Sequence, residues 1–238
     1  MKVASKPITT FPASPTIASS RYLLMAGASA QFIILTIIAM VIYPGGLLTD
    51  DSTVGYNFFR NFFSDLGRTV SYDGGRQWGS AVLFFIALSV SGLALIYFFT
   101  LTPRLFKDDR ITYGLTIIGS IFGVISGISF VGIALTPANL LLDPHVLFVQ
   151  VAFSVFMVVV ICYAISIWRT QHYPNMYAIA YIIFGVFLAG YIYLLFWGPS
   201  ARTDTGLIIN ATGQKMVAYA ALINMAIQSV GAWRVSQR

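Results

Sequence analysis

The sequence predicts an all-α protein: a polytopic membrane helix bundle with six transmembrane helices and a long, partly helical first outer loop. The 238-residue chain is 58% hydrophobic and only 9% charged. Six apolar stretches also lack Asp, Glu, Lys and Arg, and about 20 helical residues are enough to cross a hydrocarbon core of about 30 Å. These stretches are Tyr22–Tyr43, Ser80–Thr100, Thr112–Ala134, Val146–Trp168, Tyr177–Trp197 and Met216–Trp233.

The apolar stretches are predicted to be helices and not the strands of a barrel. Barrel strands alternate apolar and polar residues, whereas these stretches are continuously apolar. In the third stretch Gly119, Gly123 and Gly127 recur every four residues, which lets a neighbouring helix approach closely. In the last stretch Asn224 and Gln228 lie one turn apart, and we expect them to form hydrogen bonds across helices.

The distribution of Lys and Arg predicts the domain organisation and the orientation. Residues 1–21 are predicted to be a disordered cytoplasmic tail, 22–234 the transmembrane domain and 235–238 a second cytoplasmic tail. Nine Lys and Arg residues fall on the side of the termini and five on the other. The positive-inside rule therefore predicts an integral protein of the cell or plasma membrane with both termini cytoplasmic. Because the net charge of +6 is spread through tails and connections, we expect no nucleic-acid partner.

The first outer connection, Pro44 to Gly79, contains an unusual run of aromatic and polar residues. Four Phe residues recur at helical spacing, and polar residues fall on the opposite face, which predicts a short amphipathic helix ended by Gly67. Two interpretations stay open: a polar site that faces a cavity, or a loop that the aromatic residues anchor. The Phe residues are Phe58, Phe59, Phe62 and Phe63, and the polar ones are Asn57, Asn61, Ser64 and Asp65.

Two further polar residues open spans on the same side. His145 follows Asp143 at the start of the fourth span, where it is either a polar cap or a general base. Lys215 precedes the last span, where it binds a lipid phosphate, pairs with Asp65 or extends to the interface. If the site is catalytic, His145 is the base, Asp65 orients it, and Ser64 or a water is the nucleophile.

The remaining candidates on this side are ligand-binding residues. Asn57, Arg60, Asn61 and Lys215 are predicted to bind lipid or another ligand. One His with Asp65 and Asp143 is too small a set for a typical zinc site, so no metal and no cofactor is predicted.

The order of these features resembles a known group of membrane proteins. Asn61-x-x-Ser-Asp-Leu-Gly67, a Gly-rich third span and a His that opens the fourth span occur in sequence. This arrangement is similar to six-span bacterial and archaeal proteins of unknown function, and to the wider Frag/DRAM/Sfk group, over roughly residues 22–234. Through the eukaryotic relatives the resemblance implies lipid handling, whereas it implies no established reaction for the prokaryotic members. A fainter similarity to Ser/Asp/His membrane hydrolases is weakened because this chain lacks their His cluster.

Three function classes remain open. The first is a protein that binds or handles lipid at an outer-leaflet polar site. The second is a non-catalytic accessory or structural subunit of a larger complex. The third is a transporter, which the absence of charge in the spans disfavours. The predicted partners are membrane lipid and either other membrane subunits or a second copy. Catalysis is disfavoured, and if present would be a lipid-directed hydrolysis or transfer.

Overall fold

The computed structural model describes residues 17–107 and 109–237 and confirms the predicted all-α bundle. Six helices are long and apolar enough to cross a membrane. A four-residue helix, α1 (Ile17–Ser20), leads through the 3-10 turn Arg21–Leu23 into the first span. The spans are α2 (Leu24–Val41), α3 (Trp78–Leu101), α4 (Arg110–Leu135), α5 (Leu142–Arg169), α6 (Met176–Trp197) and α7 (Asp204–Val235).

The start of the first span is more ordered than the sequence predicts. Residues 1–16 of the predicted tail lie outside the described residues, but 17–21 are helical. Ser229 of α7 accounts for this difference because it binds the chain on both sides of the α2 start. Its hydroxyl donates to the carbonyl of Tyr22 and accepts the amide of Ala26 at 3.1 Å. At the other terminus α7 continues to Val235, and Arg238 lies outside the described residues.

The six spans form a closed ring. Each span packs against the next in sequence, and α7 packs against α2. Glycine decides how closely α3 and α4 approach: a methyl group on Gly92 or Gly127 would lie 2.8 Å from the carbonyl oxygen of the other glycine. On α4, Gly123 also contacts the ring of Phe99 in α3, while Gly119 contacts Tyr163 in α5. The glycines of the third span therefore allow the close approach that the spacing predicts, and the structure shows that they do so for two neighbouring helices, α3 and α5.

The two ends of the ring are closed differently. At the end where α2 begins and α7 ends, called here the terminal end, large aromatic side chains fill the centre. Phe106 and Tyr173 stack with their centroids 5.4 Å apart, and Tyr163 bonds Ser120 at 2.7 Å. Nearby on α7, Gln228 donates to Asn224 at 3.2 Å and to the carbonyl of Tyr177 in α6. Gln228 therefore forms the expected cross-helix bond, whereas the hydrogen bond of Asn224 stays within α7.

At the opposite end, called here the loop end, the first connection folds over the bundle. It begins with an antiparallel hairpin, β1 (Gly45–Leu47) and β2 (Asp50–Val54). A turn over 58–60 and a 3-10 helix, Phe63–Gly67, follow. The predicted amphipathic helix over 57–65 is therefore replaced by a turn and a later, shorter helix. The reason is that polar side chains in this segment bind its backbone, which favours turns over a continuous helix.

Candidate functional site

Residues 56–67, called here the lid, are organised around the buried side chain of Asn61. This side chain is 0% exposed and uses both ends of its amide. The nitrogen donates to Asp65 Oδ2 at 3.1 Å and to the carbonyl of Gly46 at 3.0 Å. The oxygen accepts the amide of Asn57 at 2.9 Å. Asn61 therefore joins the hairpin to both ends of the lid.

Asp65 is enclosed by the lid. Its Oδ2 also accepts the amide of Phe62 at 2.8 Å, and the residue is only 3% exposed. Burial raises the pKa of this carboxyl to about 6, although the Asn61 and Phe62 hydrogen bonds and the charges of Arg68 and Lys215 act in the opposite direction. The enclosed carboxyl therefore takes up a proton at a higher pH than an exposed aspartate does.

Lys215 enters the lid from α7. Its side chain is 1% exposed, and Nζ donates to the carbonyl of Asn61 and, at 3.3 Å, to that of Ala211. The ammonium also lies 5.3 Å from the ring centroid of Phe58 and 5.7 Å from that of Phe63, within cation–π range. Asn61 thus bonds the acid with its side chain and the ammonium with its carbonyl. Lys215 does not extend to the interface, because these groups hold it inside the lid.

Other single polar residues attach the lid and the chain after it to the spans. Gln77 Nε2 donates to the carbonyls of Asp65 and Arg68, each at 2.6 Å. Ser80 Oγ donates to the carbonyl of Leu66 at 2.9 Å, and Gln214 Oε1 accepts the amide of Phe63 at 2.8 Å. Sequence analysis missed these residues, because an isolated Gln or Ser at a span end carries no recognisable pattern.

The lid covers a cavity in the centre of the ring. About 890 Å³ between the lining side chains is not occupied by protein atoms, a figure that includes the part open to the surroundings. The centre of a water-sized sphere can occupy about 100 Å³ of this space. All six spans and the lid contribute to the lining. Most lining residues are apolar, and they include Phe63, Phe84, Phe130, Phe153, Phe156, Phe184, Leu88, Val149, Ala218 and Ala221.

The cavity is long and narrow. On α7 its lining residues run from Gln214 to Met225, and on α5 from His145 to Phe156. Eleven residues of helix rise by about 16 Å, close to the roughly 15 Å that half of a 30 Å hydrocarbon core provides. Because the small accessible volume is shared by lining residues over this length, the space between them is narrow.

The polar groups that line the cavity are concentrated at the loop end. They are Ser64 of the lid, His145 of α5 and Gln214 of α7, while Ser91 lies further along. His145 is 5% exposed, and its Nδ1 lies 2.7 Å from the carbonyl of Thr136. Because a carbonyl only accepts, Nδ1 carries the proton, and the carbonyl of Ile133 also lies within hydrogen-bonding reach of the ring. In a neutral ring with this tautomer, Nε2 is a hydrogen-bond acceptor.

The structure separates the residues that the sequence analysis grouped together. Ser64 and His145 line the cavity. Asn61, Asp65 and Lys215 bond to one another or to backbone inside the lid. Asn57 lies on the surface, and Arg60 forms a surface ion pair with Asp204 at 2.9 Å.

The residues of the hypothetical catalytic arrangement are not joined. Within 17–107 and 109–237, no hydrogen bond links His145 to Ser64 or to Asp65. Asp143 is exposed at the start of α5. Across the same residues there is no group of three His, Cys, Asp or Glu side chains that could hold a metal ion.

Comparison with known proteins adds no relative. No family model, no curated protein and no solved structure matches this chain. The fold and the geometry of the cavity therefore carry the functional argument.

Proposed function

We propose that this integral membrane protein binds lipid by accommodating an acyl chain in the cavity of the ring, with the polar part of the lipid beside Ser64 and His145. The observation that carries the proposal is the make-up of the cavity lining: its wall is almost entirely apolar over about 16 Å, and its few polar side chains lie mainly at the loop end, where Ser64, His145 and Gln214 are lining residues. A single-chain amphiphile has the same distribution. Enclosing its chain here fills a space that otherwise leaves the lining side chains without packing partners.

The proposed orientation places the lid at the outer leaflet. Nine of the fourteen Lys and Arg residues lie on the side of the termini, which favours a cytoplasmic location for that side. The loop end then faces the opposite surface, and the cavity extends from it by about the hydrocarbon thickness of one leaflet. The lipid would therefore enter the protein in the orientation that it has in the outer leaflet.

The proposal contains no catalytic step. An acid that orients a catalytic histidine must bond to it, but the Asp65 carboxylate accepts from Asn61 and Phe62. The Ser64, Asp65 and His145 hypothesis stays a prediction from the sequence, and binding alone accounts for the cavity and its polar end.

The test is to fill the cavity from the α7 wall. We expect Ala221→Phe to block the cavity, whereas Ala226→Phe, on the same helix but outside the lining, should not. The probe is hexadecanol with a photoreactive diazirine at the end of its chain, added to the protein in phosphatidylcholine nanodiscs. Cross-linking to peptides that contain Met25 or Met225 should fall at least 10-fold in Ala221→Phe and stay within 2-fold in Ala226→Phe. Equal labelling of both variants would contradict the proposal.

A second candidate function, an accessory subunit of a larger complex, is favoured by the apolar residues that the loop end exposes. Val54 at the end of β2 is 95% exposed, and Phe59 on the lid is 58% exposed. A partner subunit would cover these side chains. This alternative requires a protein that co-purifies in fixed stoichiometry and is lost when both residues are changed to Ser. Retention of that protein by the double variant would remove the support that this surface provides.

A further inference from the structure

We propose that the cavity selects single-chain lipids whose head group is uncharged and can donate a hydrogen bond, such as a long-chain alcohol or a monoacylglycerol. This inference rests on the proposed function and specifies its ligand. The head would bind at His145 and Ser64, and the chain would extend toward Met25 and Met225. Three features of the cavity carry the inference: its lack of charge, the tautomer of its histidine and its width.

The first feature is the absence of a counter-charge for an ionised head group. No Asp, Glu, Lys or Arg belongs to the described residues that line the cavity. The side chain of Lys215, on α7, extends into the lid, and its ammonium already donates to the carbonyl of Asn61 in the lid and to that of Ala211 in α7. Arg60 pairs with Asp204 at the surface. A phosphate or carboxylate moved into this cavity would therefore lose its hydration without gaining a cation, which is costly.

The second feature is the hydrogen-bonding character of the polar end. Because Nδ1 of His145 donates to Thr136, Nε2 accepts, and it needs a donor from the ligand. The Ser64 hydroxyl can in turn donate to an oxygen of the ligand. A hydroxyl head satisfies both residues, since it donates to His145 and accepts from Ser64. An ester or ketone oxygen only accepts, so it would leave Nε2 without a partner.

The third feature is the width of the space. The roughly 100 Å³ open to the centre of a water-sized sphere extends along eleven residues of α5 and of α7. This shape accommodates one chain, which excludes two-chain phospholipids unless the second chain stays outside the ring. Selection therefore acts on both the number of chains and the charge of the head.

The test compares head groups on one chain length. Wild-type protein in phosphatidylcholine nanodiscs is labelled with the diazirine-bearing hexadecanol. Unlabelled hexadecanol, monopalmitoylglycerol, palmitate at pH 9 and hexadecyl phosphate then compete, with each dose expressed as a mole fraction of the membrane. We expect the two neutral lipids to displace the probe at mole fractions at least 10-fold lower than the two ionised lipids. Equal displacement by all four would overturn the inference.

Substitutions of His145 and Ser64 test whether these two residues bind the head group. Asn can keep the donor to Thr136 but has no equivalent of Nε2, so His145→Asn should weaken binding of hexadecanol about 10-fold, consistent with the loss of one hydrogen bond. His172→Asn is the matched control, because His172 lies at the terminal end and bonds the carbonyl of Leu105. Ser64→Ala removes the second head-group contact and provides another measurement if His145→Asn does not fold. Wild-type affinity in both His145→Asn and Ser64→Ala would overturn the inference.

The failures of the two proposals can be distinguished. If all single-chain lipids bind equally but Ala221→Phe abolishes labelling, the cavity binds chains without selecting heads, and only the present inference fails. If labelling is the same in Ala221→Phe and Ala226→Phe, the probe does not enter the cavity, and both proposals fail.

Discussion

At the scale of the residue, the segment Ser64-Asp65-Leu66-Gly67 combines four different environments in four positions. Ser64 lines the cavity, whereas Asp65 is enclosed by the lid. Leu66 is fully buried in the core. Gly67 contacts the cavity-lining ring of Phe84, and a methyl group there would lie 2.6 Å from it. A run of this kind is constrained at every position even without a chemical step.

Asp65 should make stability depend on pH. An unfolded aspartate has a pKa of about 3.9, and burial raises the pKa of Asp65 to about 6. Folding therefore favours the protonated acid: its contribution is complete below about pH 4 and is lost as the pH rises through about 6, by about 3 kcal/mol. Asp65→Asn should remove this part of the dependence. The measurement is the free energy of unfolding in mixed detergent between pH 4 and pH 8.

The groups that surround Asp65 define the control for this experiment. The charges of Arg68 and Lys215 lower the pKa of Asp65, and the negative charge of Asp65 contributes to the raised pKa values of Tyr43, Tyr56 and Tyr72. Asp51, an exposed acid in the hairpin, supplies the control Asp51→Asn, which should keep the wild-type profile. A profile of Asp65→Asn that is parallel to the wild type would show that Asp65 is not the titrating group.

At the scale of the element, the lid is held by few but buried contacts. Lys215 reaches it from α7, Gln77 and Ser80 from the region where α3 begins, and Gln214 again from α7. These bonds go to the backbone of the lid, so they fix its path more than the identity of its side chains. Of the aromatic residues in this loop, Phe63 is buried and lines the cavity, whereas Phe59 is exposed.

Lys215 is the contact whose removal we expect to loosen the lid. Lys215→Met keeps the length of the chain but deprives the carbonyl of Asn61 of the ammonium, a buried bond to a charged group of about 1.5–3 kcal/mol. Trypsin should then cleave the lid region after Arg60 or Arg68 several-fold faster than in the wild type. Arg202→Met, which removes an exposed cation from the same end, should not change this rate. Equal rates in all three proteins would mean that other contacts hold the lid.

At the scale of the whole molecule, the ring of six helices encloses a central space, and its two ends are closed in different ways. Aromatic side chains close the terminal end, and a folded loop closes the other. The lid covers the loop end of the cavity, and its lining extends as far as Met25 of α2 and Met225 of α7. An even number of spans predicts both termini on the same side of the membrane, and the distribution of Lys and Arg favours the cytoplasm for that side.

The orientation can be tested with reporters. A fluorescent protein that folds only in the cytoplasm should fluoresce when it is fused after Arg238. Alkaline phosphatase, which is active only on the other side, should be inactive at that position. Inserted at Gly55, in the hairpin of the first connection, the phosphatase should be active. The opposite pattern would place the lid and the polar end of the cavity at the inner leaflet.

The sequence by itself determined the membrane class, the number of spans and their approximate bounds. These properties follow from the length of uncharged stretches such as Ser80–Thr100. The thickness of the hydrocarbon core sets the length of a span, and a helix satisfies its backbone hydrogen bonds there. It also indicated that Gly127 meets a neighbouring helix and that Lys215 and Asp65 lie on one side. Helical periodicity and the order of the spans are local properties, so they can be inferred from one chain.

Only the tertiary structure decided which of the candidate site residues line the cavity and which lie inside the lid. It placed Ser64 in the cavity wall and its neighbour Asp65 inside the lid, and it brought His145 to the same wall from a different span. The cavity exists because six helices pack into a closed ring. The sequence of a single span does not determine how the six spans pack together. The physical reason is that burial and hydrogen bonding between distant segments depend on three-dimensional packing, whereas the hydrophobicity of a span depends on its composition alone.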